Sequence, residues 1–483
     1  MTNPIQAAVP ANAANAIEAA DVKLAAQACP SPWPTFWIAS ISVLLVSIDT
    51  TVLYAAFGSL RQAFPADSPA GLSWVLNAYT VIYAAMLIPA GGLADLHGRK
   101  RMFLIGTAVF LIASAACGAA GSVASLVAAR VLQAIGAAML TPASLSLILD
   151  AFPKEKRAVA VSLWGAVGGL AAAIGPSVGS LIVDMMGWSW AFYINLPFGA
   201  ISLAAGVYVL KESRGTAGAA DKRSLDLMGM LLLVLSVGGI ALAITQLESR
   251  TWARRDVLAV GAASIVGLLA FIAWARVAAR PLVDLALFRN RTYSAVNLAT
   301  LSFAIAFAMM FFAFFSYMME IWHYSLPLAG IAVTPGPLMV VPTAIVTGRI
   351  AGRIGHRKPL VIGSLIYALS GLWLALVPGV EPQYLTHWLP ALILSGIGVG
   401  MVLPSLAGAA AAGLPPDQYA VGSAVNQAVR QIGSVLGVAL TVMFLGHEGL
   451  VRADFVTLYG MHVGLALLTG VLCLGVNTRP KAS

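Results

Sequence analysis

Charged side chains are scarce in this sequence. Asp, Glu, Lys and Arg make up only 10% of the 483 residues, whereas a typical soluble domain has about 25%. The apolar residues Ala, Val, Ile, Leu, Met, Phe, Trp, Tyr and Cys make up 60% of the chain, and the mean hydropathy is +0.89. A water-soluble protein of this length could not bury that much apolar surface away from water in one core. The composition therefore excludes a disordered chain, disfavours an ordinary soluble enzyme and predicts an integral membrane protein.

Cysteine is equally scarce, and acidic residues are fewer than basic ones. Cys29, Cys117 and Cys473 are far apart and follow no C-x-x-C spacing, so the sequence predicts no disulfide framework, no metal site and no cofactor. The 28 Lys and Arg exceed the 19 Asp and Glu by 9. Because the bases lie in short clusters between apolar runs, this excess indicates membrane orientation and not nucleic-acid binding.

Fourteen stretches are long enough to cross a bilayer, whose hydrocarbon core needs about 20 apolar residues of helix. Of the 28 Lys and Arg, 21 lie on the side of the two chain ends and five on the other side. Lys and Arg favour the cytoplasmic side, so we predict a multi-pass protein of the cytoplasmic (inner) membrane with both termini in the cytoplasm. The predicted spans begin near Phe36, Gly71, Met102, Leu126, Ala158, Trp190, Leu227, Val257, Thr292, Leu328, Leu360, Leu385, Ala420 and Phe455.

An internal repeat divides the chain. The stretch 91–101 recurs at 348–358, an offset of 257, and residues between 135 and 175 recur at an offset of 262. Repeated helical units are common in membrane transporters. The repeat predicts an all-α protein with two six-helix bundles, at 36–211 and 292–478, an inserted helix pair at 212–291, and cytoplasmic tails at 1–35 and 479–483.

The loop between the second and third spans combines a carboxylate, a glycine and several bases. Asp95 can face the N-terminal end of another helix, and Arg99 can pair with an acid at a neighbouring helix end. Asp150 is the candidate partner, because the repeat places Gly352 and Ala412 where Asp95 and Asp150 stand in the first half. A simple basic anchor is the alternative, although it leaves Asp95 unexplained.

This loop resembles the G-x-L-A-D-x-x-G-R-K pattern of the major facilitator superfamily. The resemblance implies two bundles that alternate in access, with the loop acting as a conformational gate on the cytoplasmic side against the helix that begins near Ala420. The gate residues are then Gly91, Asp95, Gly98, Arg99, Lys100 and Asp150, with Leu93 and Ala94 completing the match.

Two charged residues lie inside predicted spans of the first half. Asp49 stands near the centre of the first span, and Arg130 precedes Gln133 by one turn in the fourth. A charge inside the membrane needs an interior partner or a water-filled cavity, and one carboxylate can hold either a proton or a cationic partner. The alternatives are an Asp49 held only by the hydroxyls of Thr50 or Thr51 and an Arg130 that extends to the membrane surface.

Further patterns are similar to those of the fourteen-helix drug:proton antiporter family (EmrB/QacA-like). The stretch around Asp49 resembles L-D-x-T-x-V-N, with Ile48 and Tyr54 departing from it, and Arg130 lies in a segment similar to R-x-x-Q-G-x-G. The resemblance implies that Asp49 and Arg130 couple transport to protons. The fifth span contains Gly175, Pro176 and Gly179, which resemble the G-P-x-x-G-G signature of an antiporter helix. Close helix packing alone is the alternative explanation of its glycines.

The predicted cargo site combines Tyr54 and Gln133 of the first half with Asn426 and Arg430 of span thirteen. Arg430 can line the cavity or bind an anionic group, or it can make a buried contact between helices. We predict proton-coupled efflux of small lipophilic or cationic compounds such as drugs, with the small molecule, protons and the lipid bilayer as partners. The alternatives are an exporter of an endogenous metabolite and, more distantly, a membrane enzyme or receptor without transport. Whether a periplasmic adaptor takes part stays open.

Overall fold

The structure, a computed structural model, describes residues 31–153, 156–213, 226–249, 252–279, 281–412, 414, 419–447 and 449–478. Within them the chain is helical, with a 3-10 helix at Leu285–Arg289 and a π-helix at Tyr384–Trp388. The α-helices are α1 (Trp33–Ala63), α2 (Pro69–His97), α3 (Arg99–Gly118), α4 (Val123–Ala151), α5 (Arg157–Met186), α6 (Trp190–Tyr193), α7 (Asn195–Val209), α8 (Leu227–Ser249), α9 (Arg254–Val277), α10 (Arg291–Glu320), α11 (Leu326–Val333), α12 (Pro335–Ile354), α13 (Arg357–Leu376), α14 (Leu389–Ala412), α15 (Tyr419–Leu445) and α16 (Arg452–Cys473).

Twelve helical spans in the described part of the chain are long and apolar enough to cross a membrane. The prediction of an all-α, multi-pass membrane protein is therefore confirmed. The predicted total of fourteen is not confirmed: within the described residues, α2 and α5 contribute the shorter apolar stretches Gly71–Leu87 and Ile174–Met186.

Glycine and proline determine where several helices end. Gly98 and Gly187 have φ values of 106° and 88°, in the region that residues with a Cβ rarely adopt, and they end α2 and α5. Gly355, with φ of 81°, ends α12 in the same way. At Pro335 a continuous span is broken into α11 and α12, because proline lacks the N–H that the helix would use.

Successive long helices run back and forth, so that the bundle has two ends, here named the Gly98 end and the Gly187 end. Helix α1 packs against α5 and α7, and α4 packs against α2 and α3. In the second half, α10 packs against α15 and α16, and α14 packs against α12 and α13. Helices α8 and α9 pack on each other, and α8 also contacts α2 and α15, so this pair lies beside the line where the halves meet.

The halves meet through α2 and α15, α5 and α11, and α1 and α10. Near the Gly187 end, the Tyr54 ring lies 5.5 Å from that of Phe311, and Phe57 lies 5.1 Å from Phe312, measured between centroids. The Ser177 hydroxyl donates to the Gly330 carbonyl at 3.2 Å. These contacts close the space between the halves at that end.

Towards the Gly98 end, the facing helices α5 and α12 leave more room. No atom lies within 4 Å of the position that a Cβ would take at Gly165 of α5 or at Gly348 and Gly352 of α12. By contrast, a Cβ at Gly330, near the Gly187 end, would lie 2.7 Å from the Pro176 carbonyl oxygen. Of these four glycine positions, the tight one is that of α11 at the Gly187 end.

Helices α3 and α4 approach each other at two glycines. A Cβ at Gly136 would lie 2.6 Å from the backbone nitrogen of Phe110, and a Cβ at Gly106 would lie 3.0 Å from the carbonyl oxygen of Gly136. Backbone atoms cannot move aside as a flexible side chain can, so this contact depends on glycine.

We expect Gly136→Ala to lower the free energy of unfolding by about 1–3 kcal/mol, the usual cost of overpacking, because α3 and α4 must separate. The thermal unfolding midpoint of the purified protein in detergent measures this. Gly464→Ala in α16 is the matched control, since no atom lies within 4 Å of its Cβ position. Equal midpoints for the two variants would contradict the close approach.

Candidate functional site

Asp49 lies inside the first half of the protein with its carboxylate fully paired. Its side chain is 0% exposed. One oxygen, Oδ2, accepts from Nη1 of Arg130 at 2.6 Å, and the other, Oδ1, accepts from Nε2 of Gln133 at 2.8 Å and from Nδ2 of Asn195 at 3.1 Å. Thr50 and Thr51 instead donate to carbonyls of their own helix. Donors from α4 and α7 therefore hold the carboxylate of α1.

Arg130 is buried as completely, with 1% of its surface exposed. Besides Asp49, it donates from Nε to the Val75 carbonyl at 2.9 Å and from Nη1 to Oε1 of Gln133 at 2.6 Å. Its guanidinium carbon lies 4.0 Å from the centroid of the Tyr79 ring, which adds a cation–π contact. Arg130 thus points into the bundle and does not extend to the membrane surface.

Ser114 and Asn195 complete this cluster and were missed as site residues. The Ser114 hydroxyl accepts from Gln133 and from Asn195, at 3.1 Å in both cases, and donates to the Phe192 carbonyl at 2.9 Å. Asn195 had a usable signal, because it is an amide inside an otherwise apolar segment. Ser114 had none, since serines are common in this chain's apolar helices.

A buried ion pair of this kind is stable only while both partners keep their charge. Removing two charges from water costs several kcal/mol per ion, and mutual attraction with good hydrogen bonds offsets that cost. A proton added to Asp49 would remove the charge that Arg130 faces. The arrangement can therefore couple proton binding at Asp49 to the position of Arg130.

The predicted cargo residues do not form one group. Gln133 belongs to the Asp49 cluster, and Asn426 donates to Asn297 at 3.1 Å and to Thr300 at 2.9 Å within the second half. Tyr54 and Arg430 remain near each other at the line where the halves meet. Arg430 is partly buried, and its Nε donates to Oε1 of Gln427 at 3.1 Å.

The gate residues lie at the Gly98 end. Arg99 and Asp150 form an ion pair, and Ser213 also donates to Asp150, at 2.6 Å. Lys100 donates from Nζ to the Val207 carbonyl at 2.7 Å. The structure therefore joins α3, α4 and the end of α7 through one acid. The Asp95 side chain and most of the chain just before α15 lie outside the described residues, so the predicted contact between them is not visible.

Glu212 is a residue of this region that the sequence did not single out. Its carboxylate accepts from the backbone N–H of Lys100 at 3.1 Å and of Arg101 at 3.2 Å, at the N-terminus of α3, where a negative charge is favoured. A Cβ at Gly98 would lie 2.5 Å from its Oε1, so Gly98 is needed both for its φ and for this approach. Gly91 lies about two turns before the end of α2, where an added Cβ would be 3.6 Å from the Cβ of Pro142.

Gly175, Pro176 and Gly179 lie where α5 crosses α1. A Cβ at Gly175 would overlap the Thr51 hydroxyl, and one at Gly179 would lie 2.5 Å from a methyl group of Val52. These glycines therefore let α5 pack on the segment that follows Asp49. Among the residues that the structure describes, no group of three or more His, Cys, Asp or Glu is arranged to hold a metal ion.

Known proteins resemble this chain over most of its length. A family model described as Major Facilitator Superfamily matches residues 39–438. The puromycin resistance protein pur8 of Streptomyces alboniger is 33% identical over 474 residues, covering 94% of this chain and 92% of the relative. The multidrug export protein EmrB of Escherichia coli K12 is 27% identical over 428 residues, covering 86% and 80%. The fold resembles the crystal structure of a D-xylose-proton symporter, with a TM-score of 0.66, 13% identity and coverage of 94% and 99%.

We expect Arg130→Gln to lower the free energy of unfolding by about 3–5 kcal/mol, because it leaves the Asp49 carboxylate buried without its counter-charge. The double variant Asp49→Asn/Arg130→Gln should lose less than the sum of the two single variants. Thermal unfolding midpoints in detergent, compared in a double-mutant cycle, measure this coupling. Strictly additive losses would show that the two side chains do not stabilise each other.

Proposed function

The chain belongs to the Major Facilitator Superfamily, and on that premise we propose that it exports small lipophilic compounds such as drugs in exchange for protons. Two of its relatives carry names that refer to multidrug export and to puromycin resistance. The family and the relatives indicate a transporter and not an enzyme. The substrate would bind between the two halves and be released on the other side as they change their relative position.

The buried Asp49–Arg130 ion pair is the observation that carries the proton-coupling proposal. Unprotonated Asp49 holds Arg130 and, through the same cluster, α1, α4 and α7. Protonation of Asp49 removes its electrostatic attraction to Arg130. The equilibrium between different arrangements of these helices then shifts by the free energy of the lost ion pair. Tyr54 lies five residues beyond Asp49 on α1 and contacts Phe311 of the other half, so α1 links the proton site to the line where the halves meet.

We propose that fourteen helices cross the membrane, with α2 and α5 added to the twelve spans. Both are long enough, at 29 and 30 residues, because a helix needs about 20 residues to cross the hydrocarbon core. Each also packs on helices of its own half along its length. In this arrangement the chain forms two six-helix bundles, and α8 and α9 are the inserted pair.

We place the Gly98 end in the cytoplasm of a cytoplasmic (inner) membrane protein, together with both termini. This end carries the clusters around Arg99 and Arg357, and Lys and Arg are retained on the cytoplasmic side. The closed Gly187 end then faces outwards, so the structure represents a state that is closed to the outside. The Arg99–Asp150 pair is proposed as part of the gate that favours one state over the other.

The test is transport by the purified protein in liposomes under an imposed pH gradient, followed with a panel of fluorescent lipophilic compounds. We expect Asp49→Asn to lower gradient-driven transport at least tenfold, because an amide cannot exchange a proton in this range of pH, while the variant still binds the compounds. Asp184→Asn, which alters an exposed acid of α5, is the control and should transport like the wild type. Gradient-driven transport at the wild-type rate by Asp49→Asn would overturn the coupling role.

A further inference from the structure

Arg430 is a cation in the middle of α15 whose charge no residue of the described part of the chain neutralises. Its described side-chain bond is the one from Nε to the neutral Gln427, and in the described part of the chain no carboxylate forms an ion pair with it. By contrast, Arg130 of the first half is paired with Asp49. An isolated charge away from bulk water is costly. An unpaired guanidinium at this position is therefore expected to bind an anionic partner from outside the chain.

Arg430 also stands where the two halves face each other. It belongs to α15 of the second half, and it lies within electrostatic reach of Tyr54 of α1 and Tyr83 of α2. Tyr83 donates its hydroxyl hydrogen to Thr141 at 2.9 Å, whereas the Tyr54 hydroxyl donates to no acceptor among the residues the structure describes. The guanidinium and the Tyr54 hydroxyl therefore provide hydrogen-bond donors from opposite halves.

The tyrosine that shares this region with Arg430 belongs to an aromatic group formed by both halves. The Tyr54 ring packs against Phe311 and Phe312 of α10, whose centroids lie 5.5 and 6.2 Å from that of Tyr54. Arg430 itself is only partly buried. Aromatic rings together with a guanidinium suit a molecule with a flat apolar body and an anionic end.

Among the residues that the structure describes, no free carboxylate is available at this place for a cationic cargo. Asp49 is 0% exposed and its carboxylate is used by Arg130, Gln133 and Asn195. The exposed acids Asp184 and Glu320 lie near the Gly187 end of their helices. The charge presented midway between the halves is therefore positive.

We propose that Arg430 binds the anionic group, a carboxylate or an ionised phenol, of an aromatic amphipathic substrate. Arg430 forms charge-assisted hydrogen bonds to that group, the Tyr54 hydroxyl donates to it, and the aromatic rings of α1 and α10 cover the apolar body. This assignment rests on the proposed export function and narrows it, because it makes anionic compounds, and not cations, the preferred class.

Equilibrium binding to the full-length purified protein in detergent, at neutral pH and without a gradient, tests this assignment. The probes are pyrenebutyrate, pyrenebutanamide and pyrenebutylammonium, which share one ring system and differ in charge, and fluorescence anisotropy measures their affinities. We expect the wild type to bind the carboxylate at least tenfold more tightly than the ammonium compound. Arg430→Gln should abolish that ratio and leave amide binding within about twofold, which also reports that the variant is folded, and Arg430→Lys should keep part of the ratio.

Arg255→Gln is the matched control, because this arginine side chain is 90% exposed and lies at the start of α9. It should bind all three probes like the wild type. A wild type that prefers the ammonium compound, an unchanged ratio in Arg430→Gln, or no binding of any probe would each overturn the assignment. Since binding requires no gradient, a failure of proton coupling in liposomes would leave a positive result here intact, and the two failures are distinguishable.

Discussion

The ion pair between Asp49 and Arg130 is the interaction on which the first half of the protein depends. Two charges removed from water are tolerated only if each finds a partner and the remaining polar atoms are satisfied. That requirement draws on five helices: α1 and α4 supply the charges, α2 the Val75 carbonyl and the Tyr79 ring, α3 the Ser114 hydroxyl, and α7 the Asn195 amide. The position of each helix is thus tied to the charge on one carboxylate.

In the second half, the polar contact between α10 and α15 is formed by neutral side chains. Asn426 of α15 donates to Asn297 and Thr300 of α10. A neutral network does not respond to a proton at physiological pH. The two halves therefore differ: the first holds the buried carboxylate of the proposed proton coupling, and the second carries Arg430. Aromatic packing between Tyr54 and Phe311 joins them at the Gly187 end.

How well individual features could be read from the sequence depended on how local they are. Asp150 could be predicted as the partner of Arg99 because both residues stand at helix ends and because the second half lacks acids at the positions that correspond to Asp95 and Asp150. The structure brings Arg99 and Asp150 into contact. Glu212 could not be found, since its place at the N-terminus of α3 depends on how the chain returns after α7. Gln133 was assigned to the cargo site, but its spacing from Arg130 is equally suited to the buried cluster in which it lies.

The sequence by itself determined that this is a helical membrane protein and which two charges of the first half lie inside. Hydropathy is a property of short segments, so it is readable without a fold. Only the tertiary structure decided that Arg130 meets Asp49 across 81 positions of chain, that Arg430 meets no acid in the described part, and which end is closed. Those outcomes depend on the relative placement of distant helices, because a hydrogen bond forms only within about 3 Å.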